Sequence, residues 1–126
     1  MALAFATLML LAQEDAEVPE TRYGPAIQGR ATHYGYSYHG RRMGCGGTYS
    51  SYDPSIVAVS PARYAEWPCG TELVISGPAG VITVTRQDAC PGCSSTMVDL
   101  SEAGSIAVCG SRPHTCPVTI REVLRP

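Results

Sequence analysis

"VTRQDACPGCSSTMVDLSEAG", residues 84–104, sets two aspartates, Asp88 and Asp99, on either side of a Cys-Pro-Gly-Cys turn. Upstream, Val81, Thr83 and Thr85 alternate with Ile82, Val84 and Arg86, the period-two pattern of a strand with both faces partly covered. Downstream, "TMVDL" (96–100) forms another strand, and "SEAGSIAV" (101–108) opens on Ser101, an N-cap residue for one short helix. A thioredoxin-type redox site sets its Cys-x-x-Cys between a strand and a helix; here a second strand follows the turn. The stretch is therefore read as a braced turn that holds two carboxylates in place. On residue type alone, Asp88 also suits a turn at a strand end and Asp99 a partner for backbone amides near Ser101.

The same alternation of short strands and Gly/Pro turns extends outward. "GRATHYG" (29–35), "SIVAVS" (55–60), "TELVISG" (71–77), "GVITVTRQD" (80–88), "TMVDL" and "PVTIREVL" (117–124) are six predicted strands. Gly77-Pro78-Ala79-Gly80 between two of them is a hairpin signal. Six short strands with one or two small helices predict a mainly β, closed barrel. The expected organisation is a signal-like apolar leader over 1–12, a polar linker over 13–26 and one domain over 27–126. "ALAFATLMLLA" (2–12) is too short to span a bilayer as a helix and resembles the hydrophobic part of a secretory signal. The protein is therefore expected outside the cytoplasm, with no membrane contact beyond the leader.

Composition narrows the chemistry. All nine basic residues are Arg, so a lysine nucleophile or Schiff base is excluded. The net charge is -2 and the arginines are scattered, which argues against a surface that tracks nucleic-acid phosphates. With one Phe and one Trp, the core must come from aliphatic residues and Tyr, and a core that small gains from covalent bracing. Six cysteines in a small exported domain predict disulfides. They admit 15 pairings; local spacing suggests Cys90–Cys93 and Cys109–Cys116, leaving Cys45–Cys69. Half of a zinc site is the competing reading of Cys90 and Cys93, but Cys109 and Cys116 lack the spacing of a second half. No metal and no cofactor are assigned.

The order of motifs, "GRATHYG", "GCGG", "AVSPARY", "CGTEL", "VTRQDACPGC", "VDLS" and "VTIREV", resembles the double-psi β-barrel of RlpA-like proteins, expansins and loosenins, barwin-like proteins and family-45 glycoside hydrolases. The cysteine-bearing motifs are most similar to the expansin and loosenin branch. The resemblance implies a six-stranded double-psi β-barrel with a polysaccharide groove across one face. Asp99 matches the aspartate of expansin loosening and the general acid of the hydrolases. Asp88 matches a second groove aspartate, catalytic in RlpA-like transglycosylases. Thr32 matches a groove threonine. Cys90 stands where bacterial expansins place a groove tyrosine, so Tyr34, Tyr36, Tyr38 or Trp67 is the expected sugar-stacking platform. Ser60 occupies the place of the catalytic histidine of RlpA-like enzymes. His33 and His39 match no such position and are expected to be ordinary polar or capping residues, and His114 an exposed one within a disulfide loop.

Glycosidic hydrolysis ordinarily needs two carboxyl groups, roughly 5–9.5 Å apart according to mechanism. In residues 27–126 the aspartates are Asp53, Asp88 and Asp99, so Asp88 and Asp99 are the natural pair. The functional expectation is a monomeric, non-hydrolytic module that binds or loosens cell-wall polysaccharide (peptidoglycan, cellulose or chitin). The alternatives are a lytic transglycosylase or glycosidase working through Asp88 and Asp99, in which transglycosylation needs only one well-placed acid/base, and a barwin-like defence or inhibitor protein.

Overall fold

A computed structural model describes residues 20–110 and 115–125. The apolar leader and His114 lie outside these residues. The elements are β1 (Arg22–Tyr23), β2 (Ile27–Tyr34), β3 (Ile56–Val59), β4 (Glu72–Ser76), β5 (Val81–Ala89), β6 (Met97–Ser101), α1 (Glu102–Cys109) and β7 (Cys116–Leu124), with short 3-10 turns at Tyr36–Tyr38 and Pro61–Arg63.

Six of the strands close a barrel in the order β2-β6-β3-β5-β4-β7, and β7 returns to β2. Two pairings are parallel, β2 with β6 and β3 with β5; the others are antiparallel. Parallel neighbours cannot be joined by a tight hairpin, so the chain crosses over between them. Residues 35–55, between β2 and β3, make the longest connection between strands among the described residues. The expected closed six-stranded barrel with one short helix is what forms, and each predicted strand lies within about two residues of its place. The linker expected over 13–26 contributes a further element: Arg22 and Tyr23 pair with Leu124 and Val123 on the outer end of β7.

Alternation in the sequence fixes which residues point inward. Leu73 and Ile75 of β4, Val84 of β5, Val98 and Leu100 of β6, and Val118 and Ile120 of β7 converge on one buried cluster with Ala31, Val57, Val59, Trp67 and Val108. Each large aliphatic side chain buried there contributes roughly 1.5–3 kcal/mol. All four residues of β3 are buried, which accounts for the unbroken "IVAV" run. Val57 and Val59 face the barrel core, whereas Ile56 packs on the other side with Met43 and Tyr49.

Helix α1 begins as predicted. The Ser101 hydroxyl accepts the Gly104 amide at 3.0 Å and donates to the Asp53 carbonyl at 2.6 Å, so the cap also anchors the loop before β3. The three disulfides pair as local spacing suggested: Cys45–Cys69, Cys90–Cys93 and Cys109–Cys116. No helix among the described residues is long and apolar enough to cross a membrane.

Candidate functional site

The strand registers place four residues in one row across four neighbouring strands. Thr32 of β2 pairs with Asp99 of β6, Asp99 with Ala58 of β3, and Ala58 with Asp88 of β5. With strands about 4.8 Å apart, the two aspartate backbones stand about 10 Å from each other, with only the Ala58 methyl between them. The result is a depression of about 250 Å³ lined by Tyr34, Tyr38, Ala58, Asp88, Ala89, Cys90, Pro91 and Asp99.

A β-bulge puts Asp88 in this row. Val57 pairs with Arg86 but the next residue, Ala58, pairs with Asp88, so Gln87 is an extra residue on β5. Strict alternation would aim Asp88 to the same side as the buried Val84 and Arg86. The extra residue turns it outward instead. Amides from two loops hold the bulge: Cys45 donates to the Gln87 carbonyl at 3.0 Å and Gly70 to the Arg86 carbonyl at 2.9 Å. The Asp88 carboxylate takes part as well, because its Oδ1 accepts the amides of Gly44 (2.8 Å) and Ala89 (2.9 Å). The "GCGG" motif makes this approach possible. Gly46 and Gly47 take φ values of +96° and +79°, which favour glycine, and turn the loop back onto β5. Beneath, the buried Arg86 donates to the Asp88 carbonyl at 3.1 Å and lies over the Tyr64 ring at 4.6 Å.

Asp99 has a different environment. Its Oδ1 accepts one hydrogen bond, from the Thr32 hydroxyl at 2.8 Å. Burial pushes its pKa from 3.8 up to about 6; the Thr32 bond opposes the rise and the Asp88 charge adds to it. Asp99 can therefore hold or release a proton near neutral pH, the property of a general acid. Beside it, Tyr34 stacks on Tyr49 at 4.0 Å and meets Tyr38 edge-on at 6.0 Å. The Tyr34 hydroxyl is buried and has no partner among the described residues. Burial, followed by the charges of Asp88, Tyr49 and Asp99, holds that phenol strongly toward its neutral form. A buried polar atom left unpaired costs about 1–3 kcal/mol.

The structure thus brings Asp88, Asp99, Thr32 and Tyr34 together, with Tyr38. Three other expected site residues lie elsewhere. Trp67 is 1% exposed within the core cluster and offers no ring face to a ligand. Ser60 is 3% exposed, and its hydroxyl accepts the Ala62 amide as the cap of the 3-10 turn that Pro61 opens. Tyr36 points to the other side of its turn and lines a separate depression. His39 accepts the Ser51 amide through Nδ1 at 3.2 Å, a loop-bracing role. His33 lies on β2 opposite Leu100, and the groove lining does not include it. Sequence reasoning missed Ala58. Its small size inside an apolar run was the available signal, but only the register shows that it forms the floor between the aspartates.

Comparison with known proteins bears on the fold. No protein-family model matches the sequence, and no curated protein matches it either. Among solved structures, the Clavibacter michiganensis expansin superimposes with a TM-score of 0.69 at 31% identity over 81% of this chain. An aspartate-to-asparagine variant of that expansin in complex with cellohexaose gives a TM-score of 0.69 at 29% identity. The chain spans about half of the expansin, 52% of its length. A Streptomyces papain inhibitor, at 23% identity and a TM-score of 0.65, is matched over its whole length and shares the fold. Interleaved parallel strand pairs, closure of β7 onto β2 and these likenesses give the chain a double-psi β-barrel fold similar to that of the expansin.

Proposed function

We propose that the chain is a cell-wall polysaccharide-binding or -loosening module that acts without cleaving glycosidic bonds. The observation that carries this reading is the Thr32–Asp99–Ala58–Asp88 row, an open floor with polar groups at its edges and tyrosines alongside. Aromatic side chains with a few convergent polar groups are the chemistry that sugar rings and their hydroxyls require. An expansin variant of similar fold is solved with cellohexaose bound, which supports a glycan as occupant. The three disulfides suit an oxidising, extracytoplasmic compartment.

Non-hydrolytic action is supported by the fate of Asp88. Its Oδ1 is committed to two backbone amides, so the carboxylate anchors a loop as much as it faces the groove. That is a poor arrangement for a base that must activate water. The second reading, a lytic transglycosylase, rests on Asp99: a half-buried carboxyl with a pKa of about 6 can serve alone as acid and base when the sugar's own hydroxyl attacks. Mass spectrometry of soluble products separates the two. The protein is incubated with peptidoglycan sacculi, cellulose and chitin, beside Asp88→Asn and Asp99→Asn variants. Retention on a polymer with no released fragments is the expected result. Anhydro-sugar or reducing-end fragments that vanish with Asp99→Asn would establish the enzyme instead.

A further inference from the structure

A second depression, of about 380 Å³, lies on the opposite side of the Tyr36–Tyr38 turn and is lined by Tyr36, Ser51, Tyr52, Glu102, Ala103 and Ile106. Single exposed apolar side chains are ordinary on protein surfaces. Here three converge: Tyr36 is 59% exposed, Tyr52 72% and Ile106 49%. Their arrangement is built from below. The His39 ring stacks on Tyr36 at 4.9 Å and meets Tyr52 edge-on at 5.4 Å, while its Nδ1 is fixed by the Ser51 amide. The Ala103 amide donates to the Ser51 carbonyl at 2.9 Å, which ties the tyrosine loop to the first turn of α1. Two aromatic rings are thus held in place with a carboxylate, that of Glu102, at the rim.

This depression is separate from the groove but adjoins it along the chain. Tyr38, on the groove side, and Tyr36, on the far side, are two residues apart, so their Cα atoms are at most about 7.6 Å from each other. Tyr49 joins the two from beneath: its ring stacks on Tyr34 of the groove and its hydroxyl accepts the Glu102 amide at 3.4 Å. A chain of sugar units that left the groove over this turn would meet Tyr36 and Tyr52 next. We infer that the Tyr36–Tyr52–Ile106 depression is a second, ring-stacking subsite for the same glycan chain that occupies the groove. Pre-formed aromatic rings take the flat face of a pyranose at little ordering cost. The inference rests on the reading of the groove as a polysaccharide site.

Calorimetric titration with cello- and chito-oligosaccharides of two to six units tests it, with wild type, Tyr36→Ala, Tyr52→Ala and Asp99→Asn in parallel. Both tyrosines are exposed, so the alanine variants fold, as thermal melts will verify. Wild-type affinity is expected to rise with chain length. Each tyrosine variant should lose about tenfold for the hexamer and little for the dimer. Asp99→Asn should weaken every length. If the tyrosine variants keep the wild-type length dependence while Asp99→Asn weakens binding, the subsite is refuted and the groove reading stands. Absence of any wild-type binding to the oligosaccharides or to the polymers removes both. If Tyr52→Ala leaves glycan affinity intact but turns a dimer into a monomer in sedimentation, the depression is a contact between copies and the inference is wrong.

Discussion

Asp99 carries a cost that its fold does not need. A carboxyl whose pKa rises from 3.8 to about 6 on folding binds its proton more tightly in the folded than in the unfolded chain. Its contribution to stability is therefore fully present below about pH 4 and is lost as the pH rises through 6. At neutral pH the half-buried charge costs up to about 3 kcal/mol, reduced by the partial solvation of the groove. Asp99→Asn keeps an oxygen to accept the Thr32 hydroxyl while removing the charge. The variant should be about 1–2 kcal/mol more stable than wild type at pH 7.5 and about equal to it at pH 4, as measured by urea denaturation at both values. The Thr32 hydroxyl acts in the opposite direction, because it stabilises the ionised form. Thr32→Val should raise the Asp99 pKa above 6, observed by carboxyl carbon chemical shifts across a pH titration, and Thr32→Ser should leave it near the wild-type value.

At the scale of elements, the barrel was legible because hydrophobic alternation and turn residues are local properties. Leu73 and Ile75, or Val98 and Leu100, announce an inward face within five residues. The groove row was not legible in that way. Thr32, Asp99, Ala58 and Asp88 meet only through the registers of four strands, and the bulge at Gln87 depends on amides from Cys45 and Gly70. The two aspartates were expected to face one groove because the order of motifs resembles a known family, while Ala58 between them carries no motif. Trp67 and Ser60 were misplaced for a related reason. A residue type that suits a sugar platform or a polar contact equally suits a core ring or a turn cap, and burial decides between these. One position in β2 shows how tightly the register is set. A Cβ on Gly29 would stand 1.9 Å from the Thr96 carbonyl oxygen, a backbone atom that cannot swing aside. Gly29→Ala should cost about 2–4 kcal/mol in equilibrium unfolding, with β2 forced away from the β5–β6 connection.

Across the whole molecule, hydrogen bonding closes the barrel and the disulfides secure its connections. Cys109–Cys116 joins the end of α1 to the start of β7, away from the groove. Cys45–Cys69 instead joins the two loops whose amides hold the bulge: Gly44 and Cys45 lie on one, Gly70 on the other. The buried Arg86 also donates to Cys69 Sγ at 3.1 Å, so the bridge lies directly beneath the strand that carries Asp88. The two bridges should thus differ in kind as well as in size. Cys45→Ser with Cys69→Ser should lose about 3 kcal/mol, as expected for a bridge that spans 24 residues, and Cys109→Ser with Cys116→Ser should lose about 2 kcal/mol. Chemical denaturation followed by far-ultraviolet circular dichroism measures both, and both variants should keep the wild-type spectrum because the barrel ladder is untouched. Only the first should also weaken oligosaccharide binding at a temperature where each variant is fully folded, since it frees the Gly44 loop and with it the Asp88 carboxylate. Equal loss of binding in both variants would mean that the bridges act through global stability alone, and that the Gly44–Asp88 contact does not organise the groove.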